Sequence, residues 1–133
     1  MKNILLLAAL GFAAFAAYAA EPAPAPTAAK PALKTFLIIL RLPPRLHDEH
    51  AWSDADKAAT GAHFARLKAA TDAGQVILAG RTAEPLDRTQ GLVIFTAADE
   101  AAAREFMNAD PCVAAGVMTA TLHPYDLALL RQH

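Results

Sequence analysis

A single cysteine, Cys112, stands in a chain of 133 residues, so no disulfide can form within it. The fold must therefore rest on its hydrophobic core. An excess of charge is also missing: 12 Lys and Arg face 13 Asp and Glu, a formal net charge of −1. That balance gives nucleic acid or an anionic membrane surface little to bind. No phosphate-binding glycine loop, dinucleotide fingerprint or serine-nucleophile signature occurs, and nothing in the chain requires a cofactor.

Long apolar runs are absent except at the very start. "MKNILLLAALGFAAFAAYAA" has Lys2, an apolar run from Ile4 to about Phe15, and then small residues. The run is short for a bilayer span, which takes about 20 apolar residues. Ala17-Tyr18-Ala19 fits the signal-peptidase pattern, so residues 1–19 are expected to be a signal peptide cut after Ala19. No cysteine follows the run to take a lipid. The expectation is a periplasmic or secreted protein with no stable membrane anchor after cleavage. Loss of Lys2 leaves 11 basic against 13 acidic residues.

Residues 20–34 form a Pro/Ala-rich linker, since repeated X-Pro steps favour extended backbone that cannot build a core. One domain follows, 35–133. "TFLIILRL" (35–42) is a continuous apolar run of strand length, expected to be buried on both faces. Pro43-Pro44 opens a loop, 43–54, with no period. A helix is expected from Ala55 to Ala73, ending at Gly74. "QVILAGRT" (75–82) and "GLVIFTA" (91–97) read as strands joined by a turn. Thr96 and Asp99 resemble a capping box opening a helix over 98–109. A last strand, 117–125, stops at Pro124. The order is β-α-β-β-α-β, a ferredoxin-like split βαβ in the α+β class. Strands this apolar need cover on both sheet faces, and a second copy of the chain is the economical cover, so a homodimer is expected.

Within the first helix, Phe64, Leu67 and Thr71 are expected to mark the buried side, with His63 at its border. Both readings of that histidine stay open: a core-edge residue bonded to backbone, or a proton-transfer group. Asp110 has two readings as well. Before Pro111 it suits an N-cap, and its second oxygen leaves it able to pair with another group. Gly80 and Arg81, at the end of the second strand, suit a ligand's close approach and an anionic group, or equally a strand-end bend and a solvated arginine. Arg41 is a weaker candidate of the same kind. "HDEH" (47–50) offers metal-ligand types with no regular element to arrange them, so no metal is expected. Trp52 is expected to anchor its loop, and Cys112 to be a buried small residue.

The segments "HFARLKAATDAGQVILAGRT", "GLVIFTAADEAAAREFMNADP" and "AGVMTATLHPY" together resemble the YciI-like family, the YCII-related domain, over essentially all of 35–130. The resemblance implies a dimeric α+β barrel with a histidine–aspartate active site, which falls on His63 and Asp110. It implies isomerase or lyase/dehydrochlorinase-like chemistry on a lactone or substituted phenol, with a small molecule and a second subunit as partners. A non-catalytic small-molecule-binding dimer of the cell envelope is the alternative. Cys112 stands where many members carry an aromatic residue, and the 43–54 loop is longer than in the smallest members.

Overall fold

The computed structural model describes residues 32–131; the expected signal peptide (1–19) and all but the end of the 20–34 linker lie outside them. Four strands form one antiparallel sheet: β1 (Lys34–Arg41), β2 (Val76–Arg81), β3 (Gln90–Ala97) and β4 (Thr119–Pro124), in the spatial order β2-β3-β1-β4. Helices α1 (Asp54–Asp72) and α2 (Glu100–Asn108) are the connections of the split β-α-β unit, and a single turn, α3 (Pro111–Ala114), precedes β4. This is the expected α+β architecture. Among the described residues no helix is long and apolar enough to cross a membrane.

Alternation along the strands decides which side is core. On β1, Phe36, Ile38 and Leu40 are buried, and they pair across the sheet with Phe95, Val93 and Gly91 of β3. Leu67 of α1 and Ala103 and Met107 of α2 close this core from the helix side. Gly91 permits the fit at one end, since a Cβ there would meet the Leu40 Cβ at 3.1 Å. The opposite face carries Leu37, Ile39, Leu92 and Ile94 in register. These are half-buried within one chain, so β1 is buried on one face and not on two.

The helix termini follow local chemistry. Gly74, at φ 78°, takes the left-handed position that ends α1. At its start, Ser53 and Asp56 form a reciprocal capping box. Asp56 also takes a bidentate ion pair from Arg45, at 3.1 and 2.9 Å, which holds its carboxyl well below the usual carboxylate range. That pair fastens the 43–54 segment to α1. The segment contains two single 3-10 turns, Pro44–Leu46 and Glu49–Ala51. For α2 the cap is Asp99, accepting from the Ala102 N–H, and Thr96 remains in β3. The expected Thr96–Asp99 box is thus replaced by a cap three residues later, because β3 pairing runs to Ala97.

The buried face of α1 also differs from expectation. Phe64 is 70% exposed and Thr71 is exposed, whereas Asp56 and Leu67 are buried and His63, Arg66 and Ala70 half-buried. The inward face runs 56, 59–60, 63, 66–67, 70, one position round from the expected stripe. His63 lies in the middle of it.

Candidate active site

α1 and α3 bring together two side chains 47 residues apart. His63 Nδ1 lies 2.7 Å from Asp110 Oδ2, and the side chains are only 13% and 7% exposed. Asp110 is also the N-cap of α3, its Oδ1 accepting from the Cys112 N–H at 2.9 Å. The cap and the pair use different oxygens, so the two readings of Asp110 hold at once. Burial works to raise the carboxyl's pKa. The His63 hydrogen bond and charge, with the N–H groups of Cys112 and Val113, outweigh it and hold the group below its ordinary value. A carboxylate can only accept, so Nδ1 is the protonated nitrogen of His63. In the neutral ring that leaves Nε2 with its lone pair, and among the described residues nothing bonds to it.

The linkage has a sign. Asp110 is depressed in the folded state, so its contribution to stability is complete above the unfolded carboxyl value of about 3.8 and is lost as pH falls through the lower folded value. Asp110→Asn retains a good capping residue and removes this titration. Unfolding midpoints followed from pH 6 to pH 2 should fall less steeply in the variant than in the wild type. Parallel slopes would contradict the pairing.

His63 faces an open cleft of about 940 Å³ between α1 and the β2–β3 end of the sheet. Its walls are largely apolar, with Leu42, Trp52, Leu67, Ile77, Leu86 and Met118. Trp52 is fixed by its Nε1–H, which donates to the Leu46 carbonyl at 3.1 Å. Thr60, Lys68, Arg41, Gly80 and Arg81 supply polar surface. Lys68 is already paired with Asp72 at 2.6 Å, whereas no ion pair engages Arg41 or Arg81 among the described residues.

Arg81 reaches the His63 side because β2 is irregular. Val76 pairs with Phe95 and Leu78 with Ile94, so Ile77 is an extra residue. Such a bulge reverses which face later residues occupy. Arg81 consequently stands opposite Gly91, on the helix-covered face; in a regular strand it would point away. Gly80 is beside it with open space around it, so its small size serves no contact within the chain.

Other candidates resolve into structural roles. Asp48 accepts from the His50 N–H, and His47 Nε2 bonds the Leu42 carbonyl at 3.2 Å. Among the described residues the metal-ligating types gather elsewhere, at His63, Asp110 and Cys112, with atoms within 4.8 Å of one another. Most of their ligand atoms are engaged within the chain, His63 Nε2 excepted. Nδ1 and Oδ2 hold each other, and the Cys112 thiol lies 3.8 Å from Thr60 Oγ1. Burial, with the Asp110 charge, pushes that thiol up, so it is a packed residue as expected. One member of the site escaped the sequence reading. Arg66 sits one turn beyond His63 with Nη1 3.7 Å from Asp110 Oδ2, and its i+3 spacing was the available signal.

A four-stranded antiparallel α+β domain with a half-buried histidine paired to a buried aspartate beside an apolar cleft is the class these features define. The chain belongs to the YCII-related domain family, whose profile matches residues 38–122. A search of curated proteins finds no match. One solved structure it is similar to is the 5-chloro-2-hydroxyhydroquinone dehydrochlorinase (TftG) from Burkholderia phenoliruptrix AC1100, in complex with 2,5-dihydroxybenzoquinone. The two share 17% identity over 71% of this chain and 95% of that one, at a TM-score of 0.49.

Proposed function

We propose that this protein is a small-molecule enzyme in which His63 and Asp110 act as a general acid/base pair on a ligand held in the cleft. The observation that carries the reading is the asymmetry of the imidazole. Nδ1 is tied to a buried carboxylate, while Nε2 has no partner among the described residues and the His63 side chain lines the cleft. Nε2 takes a proton from an acidic C–H or O–H of the ligand, and Asp110 stabilises the imidazolium that forms. Return of the proton to a different atom is an isomerisation. When the electron pair of the broken C–H bond forms a new double bond and a leaving group departs with the pair of its own bond to carbon, the result is an elimination, and the proton is then released to solvent. Lactones and substituted phenols suit the apolar walls of the cleft.

Arg81 is the anchor for an anionic group of that ligand. A charge-assisted hydrogen bond is worth roughly 1.5–3 kcal/mol, so Arg81→Gln should weaken binding of an anionic ligand about tenfold or more and leave a neutral analogue unaffected. The experiment is a panel of lactones and substituted phenols, each followed for binding by calorimetry and for product by NMR. Product formation supports the reading. Tight binding with no product across the panel would favour a non-catalytic binding module.

We also propose that the face carrying Leu37, Ile39, Leu92 and Ile94 is covered by a second copy in a homodimer, and that the mature protein is periplasmic or secreted. Light scattering at micromolar concentration should give twice the chain mass, and a monomer would refute the dimer. Fractionation of cells expressing the full chain should recover the cleaved form outside the cytoplasm; retention inside it would refute export.

A further inference from the structure

We propose that Arg66 is a positioning residue of the same site, one whose charge divides Asp110 between two cations and so sets the pH range over which His63 exchanges its proton. This rests on the acid/base reading above. Three observations carry it. Arg66 lies on the inward face of α1 at i+3 from His63, where a leucine or methionine would suffice for packing. Its guanidinium is fixed from the far side: Nη2 donates to the Phe106 carbonyl at 2.9 Å, and the group stacks 4.2 Å over the Phe106 ring. Its Nη1 is buried, has no hydrogen-bond partner among the described residues, and lies 3.7 Å from Asp110 Oδ2, the oxygen that accepts from His63.

A buried donor left unpaired is costly, and an arginine retained at that cost beside a carboxylate is not explained by packing. Electrostatics supplies the reason. Asp110 alone would draw a proton firmly onto His63. A cation sharing Oδ2 weakens that pull, and it also repels the imidazolium directly. Both effects favour the neutral ring. The remaining charged or titratable groups around His63 are Cys112 on α3, held protonated, and Lys68 with Asp72 on α1, paired with each other. Arg41 and Arg81 approach from the ends of β1 and β2. None of these changes in the variants below, and Phe106 of α2 carries no charge.

The test needs no substrate: an NMR titration of His63 in the wild type, Arg66→Gln, Arg66→Lys and Asp110→Asn. Glutamine can still donate to the Phe106 carbonyl but has no charge, and lysine keeps the charge. Arg66→Met, which preserves the stem on Phe106, serves if the glutamine variant does not fold. The His63 midpoint should rise by on the order of 0.5–1 pH unit in the charge-free variants and stay within about 0.3 unit in Arg66→Lys. It should fall in Asp110→Asn. A midpoint that moves in Asp110→Asn but not in the charge-free variants overturns the role of Arg66 and leaves the pair intact. An equal rise in the lysine and glutamine variants also overturns it, because loss of packing would then be the cause. A midpoint unmoved in every variant overturns the acid/base pair itself.

Discussion

His63→Gln should lower turnover of a true substrate by roughly 10²–10⁴-fold, the usual contribution of a positioned acid or base, with little change in ligand affinity. Glutamine keeps a side chain able to bond Asp110, so the buried carboxylate is not stranded. It has no group that changes protonation near neutral pH. The loss should therefore fall on kcat and not on KM, because the cleft walls and Arg81 are untouched. Circular dichroism and thermal unfolding of the variant should remain close to the wild type. Turnover within a few-fold of the wild type would remove His63 from the chemistry. A large rise in KM with kcat preserved would make it a binding residue instead.

Phe95→Ala should be the most damaging single change to the core, costing about 3–5 kcal/mol. Phe95 is fully buried on β3, the second strand in from the sheet edge, with its ring 6.0 Å from Phe36 and stacked 4.6 Å from Phe106. A small domain is stable by only about 5–15 kcal/mol, so the substitution consumes a large share of the total. Urea unfolding should give a lower midpoint at nearly constant slope, while Phe95→Leu should lose considerably less. The change also reaches the site. Phe106 is the platform on which the Arg66 guanidinium rests, so a cavity beneath it should loosen Arg66 in variants that still fold. A loss below about 1 kcal/mol would mean that neighbouring side chains collapse to fill the space, and that Phe95 is not the keystone its burial implies.

What the sequence made legible was what short-range chemistry determines. The strand runs, the glycine at 74 and the aspartate before Pro111 each act within a few residues, so their roles could be read directly, and the β-α-β-β-α-β order followed from them. The His63–Asp110 pairing spans two helices, and only resemblance to a family brought the two residues together before the structure did. The inward face of α1 was misjudged by one position. Phe64 is the more apolar residue, but the helix meets the sheet through Leu67 and meets α3 through His63, a rotation no local pattern encodes. The bulge at Ile77 was also invisible, because "VILAGR" reads equally well as a regular strand; the face of Arg81 depended on it. Arg45 and Asp56 are 11 residues apart across a loop, and Asp in the fourth position of the Ser53 box is a weaker signal than Glu or Gln.

The central claim is that Asp110 holds the proton of His63 on Nδ1 and leaves Nε2 free to work in the cleft. The most direct measurement is the ¹⁵N spectrum of the His63 ring in the mature protein, recorded where the imidazole is neutral. The account predicts a protonated Nδ1 and an unprotonated Nε2, with that preference lost in Asp110→Asn. A ring protonated on Nε2 in the wild type, or a tautomer indifferent to Asp110, would contradict it.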